Sequence, residues 1–277
     1  MSKATPPLAP ISVRHYGEHG SYLVLLHGGP GAPGEMAPVA RCLSDRFRVL
    51  EPLQRRSGVV PLTVARHVAD LHEVLRGPLR EGPVRLVGFS WGAMLALTYA
   101  ARYPVEVERL ILIGCGTFDR RGRDVYQARI AERIRPDETQ RIRDIEAQLS
   151  TETDRRRRNE LFAALGVIYE RIQSCELLAS ESAEELPCDE ANFRQTWADA
   201  VSLQEQGVQP AEFARIEGSV AMIHGCQDPH PGRLIRESLT PFIRGIQYHE
   251  LLRCGHKPWI EREAKDKFYE LLSRCLG

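Results

Sequence analysis

The fold of this chain is decided by the stretch Val84-Arg85-Leu86-Val87-Gly88-Phe89-Ser90-Trp91-Gly92-Ala93-Met94-Leu95. Its apolar beginning predicts a buried strand, its end is rich in strong helix formers, and the Gly-Phe-Ser-Trp-Gly between them predicts a very tight turn. Gly88 and Gly92 fit such a turn because a Cβ at either position would clash where the strand meets the helix. The turn lifts Ser90 Oγ out of the backbone at a helix N-terminus, which is typical of a nucleophile elbow.

Other apolar runs repeat this alternation of strand and helix. The segments 22–26 and 109–114 each contain a continuous apolar run, as expected of strands buried on both faces of a parallel sheet. Further strands are predicted at 219–223 and 246–252, and a helix with Thr63 as its N-cap precedes the elbow strand. The alternation predicts an α/β fold with a mostly parallel, doubly wound sheet.

The pattern changes between residues 119 and 190. Strand signals stop there, charged residues become dense, and apolar residues recur at helical spacing. We interpret this part as a helical cap inserted over the carboxyl edge of the sheet, with residues 1–118 and 191–277 forming the core. The run Arg155-Arg156-Arg157-Arg158 is flanked by acidic residues, so we interpret it as a solvated helix face rather than a phosphate site.

Composition limits the classes of partner. Lys plus Arg and Asp plus Glu are equal at 37 each, so the chain of 277 residues carries no net charge. This balance favours a small-molecule or short-peptide substrate and argues against nucleic acid or a membrane surface. The sequence shows no apolar segment of signal-peptide or transmembrane length, and we therefore expect a cytoplasmic protein. No pattern in the sequence indicates the oligomeric state.

The cysteines indicate neither a disulfide framework nor a metal site. There are seven of them, an odd number without CxxC or Cys/His spacing, and we expect free thiols that are mostly buried. We also expect no cofactor and no metal ion. The seven are Cys42, Cys115, Cys175, Cys188, Cys226, Cys254 and Cys275.

Three polar residues follow three different predicted strands. They occur in the order Ser90, Asp228 and His256, which is the order of the nucleophile, acid and base in an α/β hydrolase. Acyl transfer by serine needs an imidazole to accept its proton and a carboxylate to orient that imidazole. Asp119 also follows a strand and is the rival candidate for the acid.

The glycine-rich run His27-Gly28-Gly29-Pro30-Gly31 follows the strand at 22–26. Because such a run lets backbone amides approach a ligand at the carboxyl end of a strand, it predicts an oxyanion hole. His27 and His224 each directly precede a glycine at a strand end, where an imidazole more often orients the loop than transfers a proton.

Together, His27-Gly28-Gly29-Pro30-Gly31 and Gly88-Phe89-Ser90-Trp91-Gly92 resemble the signature of the proline iminopeptidase branch of the α/β hydrolases. The resemblance extends over the core and includes the position of the cap. It implies that the backbone amides of Gly29 and Trp91 form the oxyanion hole. The segment Leu53-Gln54-Arg55-Arg56 stands where those peptidases have Asp-Gln-Arg-Gly.

The resemblance also implies that acidic groups of the cap hold a substrate's free amino terminus. The cap glutamates considered for this role are Glu132, Glu176, Glu181 and Glu184. Three functions therefore stay open. The first is a serine hydrolase of a small peptide, amide or ester, with a proline iminopeptidase-like aminopeptidase as its most specific form. The second is a carboxylesterase, and the third is a non-catalytic binding protein on the same fold.

Overall fold

The computed structural model describes residues 8–178 and 186–277. At its centre is a seven-stranded sheet in the order β1-β3-β2-β4-β5-β6-β7. Only the edge strand β1 runs antiparallel to its neighbour, so the expectation of a mostly parallel α/β sheet is confirmed. The strands are β1 (Val13–Tyr16), β2 (Tyr22–Leu26), β3 (Arg48–Pro52), β4 (Val84–Phe89), β5 (Val107–Ile113), β6 (Ser219–Gly225) and β7 (Gln247–Leu251).

Helices cover both faces of the sheet. In chain order they are α1 (Ala37–Leu43), α2 (Val64–Leu75), α3 (Trp91–Arg102), α4 (Arg120–Arg133), α5 (Pro136–Thr151), α6 (Arg155–Gln173), α7 (Glu190–Glu205), α8 (Gly232–Leu239) and α9 (Lys265–Leu276). Residues of α1 and α9 pack with Leu23 and Ile111 on one face, whereas α2, α3 and α8 pack with Val24 and Leu110 on the other. Successive strand residues point to opposite faces, and both faces are apolar, which explains why the strands are continuously hydrophobic.

Helices α4, α5 and α6 lie between β5 and α7 in the chain and have an apolar cluster of their own. The cluster contains Ile130, Ile142, Ile168 and Ile172. The end of α6 contacts the loop after β7, since His256 N donates to Gln173 O at 2.9 Å. The division of the chain into a core and a cap at residues 119 and 190 remains a prediction.

Two local predictions have different outcomes. The Thr63 side chain accepts a hydrogen bond from Arg66 N at 3.1 Å, so the predicted N-cap of α2 is confirmed. The interpretation of Arg155–Arg158 as a solvated face is wrong for Arg158, which forms a bidentate ion pair with Glu190 at the start of α7. Because helical spacing places only part of any run outward, Arg158 points toward the neighbouring helix while Arg156 stays exposed.

The cysteines are free thiols, as expected, but most of them are not buried. Only Cys115, Cys254 and Cys275 are buried, and Cys42 and Cys226 are exposed. Cys42 lies outside the set of α1 residues that face the core, which is why its small apolar side chain reaches solvent. Among the described residues, we find no helix with the length and apolar character needed to cross a membrane.

Candidate active site

Ser90 lies at the turn from β4 into α3. Its backbone has φ 53° and ψ −117°, a strained conformation for a residue with a side chain. A Cβ at Gly88 would lie 2.3 Å from Gly92 O, and a Cβ at Gly92 would lie 2.1 Å from Leu26 O. The strand and the helix therefore approach closely enough to require glycine at both positions. Ser90 itself is partly exposed at this turn.

The glycine-rich loop after β2 lies beside this turn. Gly29 is exposed and has φ 102°, a conformation that favours glycine. The Gly28 amide is already engaged, because it donates to Glu35 Oε1 at 2.7 Å. Trp91 is the first residue of α3, at the positive end of the helix dipole. The assignment of the oxyanion hole to Gly29 and Trp91 remains a prediction.

One buried side chain joins this loop to the turn. Gln54 follows β3, and its backbone amide donates to His27 Nε2 at 3.0 Å. The Gln54 side-chain amide donates to His27 O at 2.9 Å, and its oxygen accepts from Trp91 Nε1 at 2.8 Å. His27 Nε2 is thus an acceptor, so the ring carries its proton on Nδ1, which lies 2.8 Å from Gly28 O. Within this network His27 orients the loop.

The structure brings Asp228 and His256 together. Asp228 follows β6, His256 follows β7, and His256 Nδ1 lies 2.7 Å from Asp228 Oδ2. Both side chains are almost fully buried. The ring of Phe89, the residue before Ser90, lies 4.8 Å from the His256 ring between centroids. The candidate acid and base therefore meet next to the turn that carries Ser90.

The rival acid Asp119 has another partner. It is the N-cap of α4, and its Oδ1 accepts a hydrogen bond from Gly122 N at 2.6 Å. This contact satisfies one of the free amides at the start of the helix. Geometry therefore favours Asp228 over Asp119 as the partner of His256.

The environment of the pair changes both pKa values. Burial alone would raise the pKa of Asp228, but the charges and hydrogen bonds of His256 and His230 outweigh it and hold that pKa well below its usual range. Burial lowers the pKa of His256, and the Asp228 carboxylate opposes the decrease. The pair consists of a carboxylate and a neutral imidazole near pH 7. Such a pair has the charge states needed to accept a proton from a nucleophile.

A second histidine binds the same carboxylate. His230 Nδ1 lies 3.0 Å from Asp228 Oδ1, and the His230 backbone amide donates to that oxygen at 2.9 Å. The His230 ring stacks on the His256 ring at 4.4 Å and packs against Tyr126 of α4 at 4.3 Å. His230 was not predicted from the sequence as a residue of the site. Its position two residues after Asp228 was the available signal.

The cap glutamates considered for a free amino terminus have other surroundings. Glu132 is exposed on α4, and Glu176 forms an ion pair with Arg253 at 2.5 Å. Glu181 and Glu184 lie outside the described residues. None of the described glutamates in this set is therefore a buried carboxylate in need of a cation.

Comparison with known proteins identifies the family. The model of the alpha/beta hydrolase family matches residues 23–271, which is most of the chain, and the chain belongs to this family. The expectation of a hydrolase enzyme of this fold is thereby confirmed.

Three curated relatives show different extents of similarity. A 2-hydroxy-6-oxo-2,4-heptadienoate hydrolase of Pseudomonas putida is 27% identical over 93% of this chain and 90% of its own. A proline iminopeptidase of Xylella fastidiosa is 32% identical, but the match spans 43% of this chain and 40% of the relative. A cis-3-alkyl-4-alkyloxetan-2-one decarboxylase of Shewanella oneidensis is 26% identical over 36% of this chain and 34% of its own length.

Solved structures agree on the fold. The enol-lactonase of Burkholderia xenovorans superposes with a TM-score of 0.59 at 19% identity, covering 96% of each chain. A thermophilic esterase of Thermogutta terrifontis superposes with a TM-score of 0.62 at 20% identity, covering 96% of this chain and 92% of the esterase.

Proposed function

We propose that this protein is a serine hydrolase that uses Ser90 as the nucleophile, His256 as the base and Asp228 as the acid. The observation that carries the proposal is the 2.7 Å contact between His256 Nδ1 and Asp228 Oδ2, next to a turn that holds Ser90 at φ 53°. A non-catalytic binding protein has no use for this combination of a strained serine and a buried acid–base pair.

The geometry supports a two-step acyl transfer. The hydrogen bond to Asp228 fixes the His256 proton on Nδ1 and leaves Nε2 free to accept the proton of Ser90 Oγ. Ser90 then attacks the carbonyl carbon, and the amides of Gly29 and Trp91 stabilise the oxyanion. His256 returns the proton to the leaving group, and a water molecule activated by His256 releases the acyl group in the second step.

For the substrate, we propose a small ester or amide. A relative that aligns over 93% of this chain is named 2-hydroxy-6-oxo-2,4-heptadienoate hydrolase, which supports a small organic substrate. Local identity to proline iminopeptidases and the HGGPG and GFSWG motifs favour an aminopeptidase as the second candidate. Of the two candidate glutamates that the structure describes, Glu132 is exposed and Glu176 is paired, so neither offers the unpaired buried carboxylate that a free ammonium group under a cap needs.

Labelling with a fluorophosphonate probe tests the nucleophile. The wild-type protein should become covalently labelled, and Ser90→Ala should lose both the label and hydrolysis, the latter by about a million-fold. Labelling of Ser90→Ala at the wild-type rate would show that another residue is the nucleophile. A folded wild-type protein that is never labelled would favour the binding protein.

A substrate pair separates the two candidates. An aminoacyl arylamide is compared with its N-acetylated form, and short-chain aryl esters are assayed in parallel. A hydrolase of esters and amides should accept both arylamides at similar rates. An aminopeptidase should lose most of its activity on acetylation, because its buried carboxylate would be left without a cation.

A further inference from the structure

Three imidazoles surround one buried carboxylate. His256 Nδ1 lies 2.7 Å from Asp228 Oδ2, and His230 Nδ1 lies 3.0 Å from Asp228 Oδ1. His224 Nε2 lies 3.4 Å from Asp228 Oδ2. A proton-transfer triad needs only one imidazole on its carboxylate. The two additional histidines are therefore not explained by the proposed hydrolysis.

His224 is the least satisfied of the three. Its side chain is fully buried, and neither ring nitrogen forms a hydrogen bond with any residue that the structure describes. Although Nε2 is near the carboxylate, the contact lacks hydrogen-bond geometry. A buried polar group of this kind needs a partner, since leaving it unsatisfied costs stability. Its nitrogen lies beside the carboxylate that His230 and His256 already share.

We propose that Asp228, His230 and His256 bind a zinc ion, with His224 as an adjacent nitrogen donor, and that zinc reversibly inhibits the enzyme. Ligand atoms from the first three residues all lie within 4.8 Å of one another. Zinc binds imidazole and carboxylate at about 2.0–2.2 Å, so the ligand atoms of a tetrahedral site lie roughly 3.3 Å apart. The two contacts to Asp228, at 2.7 and 3.0 Å, would lengthen toward this value, and because all ligand atoms lie within 4.8 Å, no pair would change its separation by more than about 1.5 Å.

The donor set also selects the class of metal. Two or three imidazoles with one carboxylate suit zinc and similar transition metals. Magnesium and calcium prefer sites made of oxygen ligands, and this cluster offers a single carboxylate. The sequence spacing gave no sign of the site because its ligands come from two separate loops, 28 residues apart between Asp228 and His256.

The inhibitory effect rests on the proposed function, because it acts through the base. A metal ion bound at His256 Nδ1 displaces the proton from that nitrogen to Nε2. Nε2 then carries a hydrogen and no free lone pair, so it cannot accept the proton of Ser90. Zinc forms no bond to the substrate in this mode of inhibition. Removal of zinc restores the original tautomer of His256.

Binding is measured first, independently of catalysis. Chelator-treated Ser90→Ala protein is titrated with zinc by calorimetry, and we expect one ion per chain. Adding His230→Gln should weaken binding by at least about tenfold, since even the loss of an outer-shell partner of a metal site costs that much. Magnesium at the same concentrations should give no binding signal. If His230→Gln does not fold, His230→Asn takes its place.

A nearby thiol provides the control. Cys226 is exposed and two residues from Asp228, and thiols also bind zinc. Cys226→Ser should bind zinc as tightly as the parent protein. Unchanged affinity in His230→Gln, or loss of binding in Cys226→Ser, would overturn the proposed site.

Inhibition is measured second, on the active protein. Zinc should abolish ester hydrolysis in the wild type, and excess chelator should restore it. The half-inhibiting concentration should rise at least about tenfold in His230→Gln relative to that variant's own activity without zinc. Binding of zinc without loss of activity would overturn the inhibitory role but not the proposed zinc site. Failure of Ser90 as the nucleophile would appear in the labelling assay and would not alter the calorimetry.

Discussion

Trp91 Nε1 donates a hydrogen bond to Gln54 Oε1 at 2.8 Å, and both side chains are buried. The same Gln54 holds His27 through its backbone and side-chain amides. The residue after the proposed nucleophile is therefore connected through one side chain to the loop that carries the proposed oxyanion hole. Gln54 acts as a positioning residue for both segments.

Replacing Gln54 with leucine should leave the Trp91 N–H buried without an acceptor. We expect Gln54→Leu to lower the free energy of unfolding by about 1–3 kcal/mol and to lower kcat more than it raises KM. Urea denaturation and steady-state hydrolysis of an aryl ester measure the two effects. The matched control is Gln140→Leu on the exposed face of α5, which should change stability by less than about 0.5 kcal/mol. Equal stability of the two variants would contradict this role of Gln54.

The strands and the turn at Ser90 could be predicted because they depend on local pattern. Continuous apolar runs such as 22–26 indicate strands buried on both faces, and paired glycines indicate the close approach of β4 and α3. The order of Ser90, Asp228 and His256 predicted their common edge, because the carboxyl ends of parallel strands lie together. These inferences need no knowledge of how distant side chains orient.

Contacts between distant segments could not be predicted in the same way. The contact of Gln54 with Trp91 spans 37 residues, and nothing near Gln54 in the sequence indicates its partner. Likewise, Arg158 pairs with Glu190, which is 32 residues away in the sequence. The acidic residues next to the arginine run had instead suggested a solvated helix face. The second imidazole on Asp228 depends on the conformation of the loop after β6. Such contacts are set by tertiary packing.

The acid can be tested with a matched pair of substitutions. Asp228→Asn should lower kcat by about 10⁴-fold, because an amide no longer holds His256 in the tautomer that accepts a proton. Asp119→Asn should leave activity unchanged, since asparagine caps a helix about as well as aspartate. Steady-state hydrolysis of an aryl ester by both variants checks the prediction. Loss of activity in Asp119→Asn alone would reverse the assignment.

Glu261 should be important for stability although it lies outside the proposed chemistry. Its buried carboxylate accepts hydrogen bonds from three backbone amides, those of Cys175, Glu176 and Gly255. Glutamine has only one acceptor oxygen, and its NH₂ group would face a backbone N–H. We expect Glu261→Gln to lower the free energy of unfolding by about 1–3 kcal/mol, measured by urea denaturation.

The control for Glu261 is Glu263→Gln. Glu263 is 45% exposed and lies 3.8 Å from Arg253, and such surface pairs contribute about 0–1 kcal/mol. A cost for Glu263→Gln that matches or exceeds the cost for Glu261→Gln would contradict the argument.

His67 should make stability depend on pH. Its Nε2 lies 2.9 Å from Thr196 Oγ1, and the Thr196 hydroxyl donates to Asn192 Oδ1, so Nε2 carries the ring proton. Nδ1 is buried without a hydrogen-bond partner among the described residues. Burial lowers the pKa of His67 from 6.5 to about 4, and Asp70 opposes the decrease. Between these two values the unfolded chain binds a proton that the folded protein does not.

The sign of the effect follows from that difference in bound protons. The contribution of His67 to stability is constant above about pH 6.5, decreases as the pH falls toward 4, and is constant again below 4. A shift of this size corresponds to a loss of about 3 kcal/mol in the free energy of unfolding between pH 6.5 and pH 4.

Denaturant unfolding of the wild type and His67→Gln at pH 7 and pH 4 measures this loss. The variant keeps an N–H for Thr196 but cannot titrate, so its stability should fall less on acidification. His19→Gln removes an exposed histidine and should behave like the wild type. Parallel pH profiles of the wild type and His67→Gln would show that His67 does not resist protonation in the folded protein.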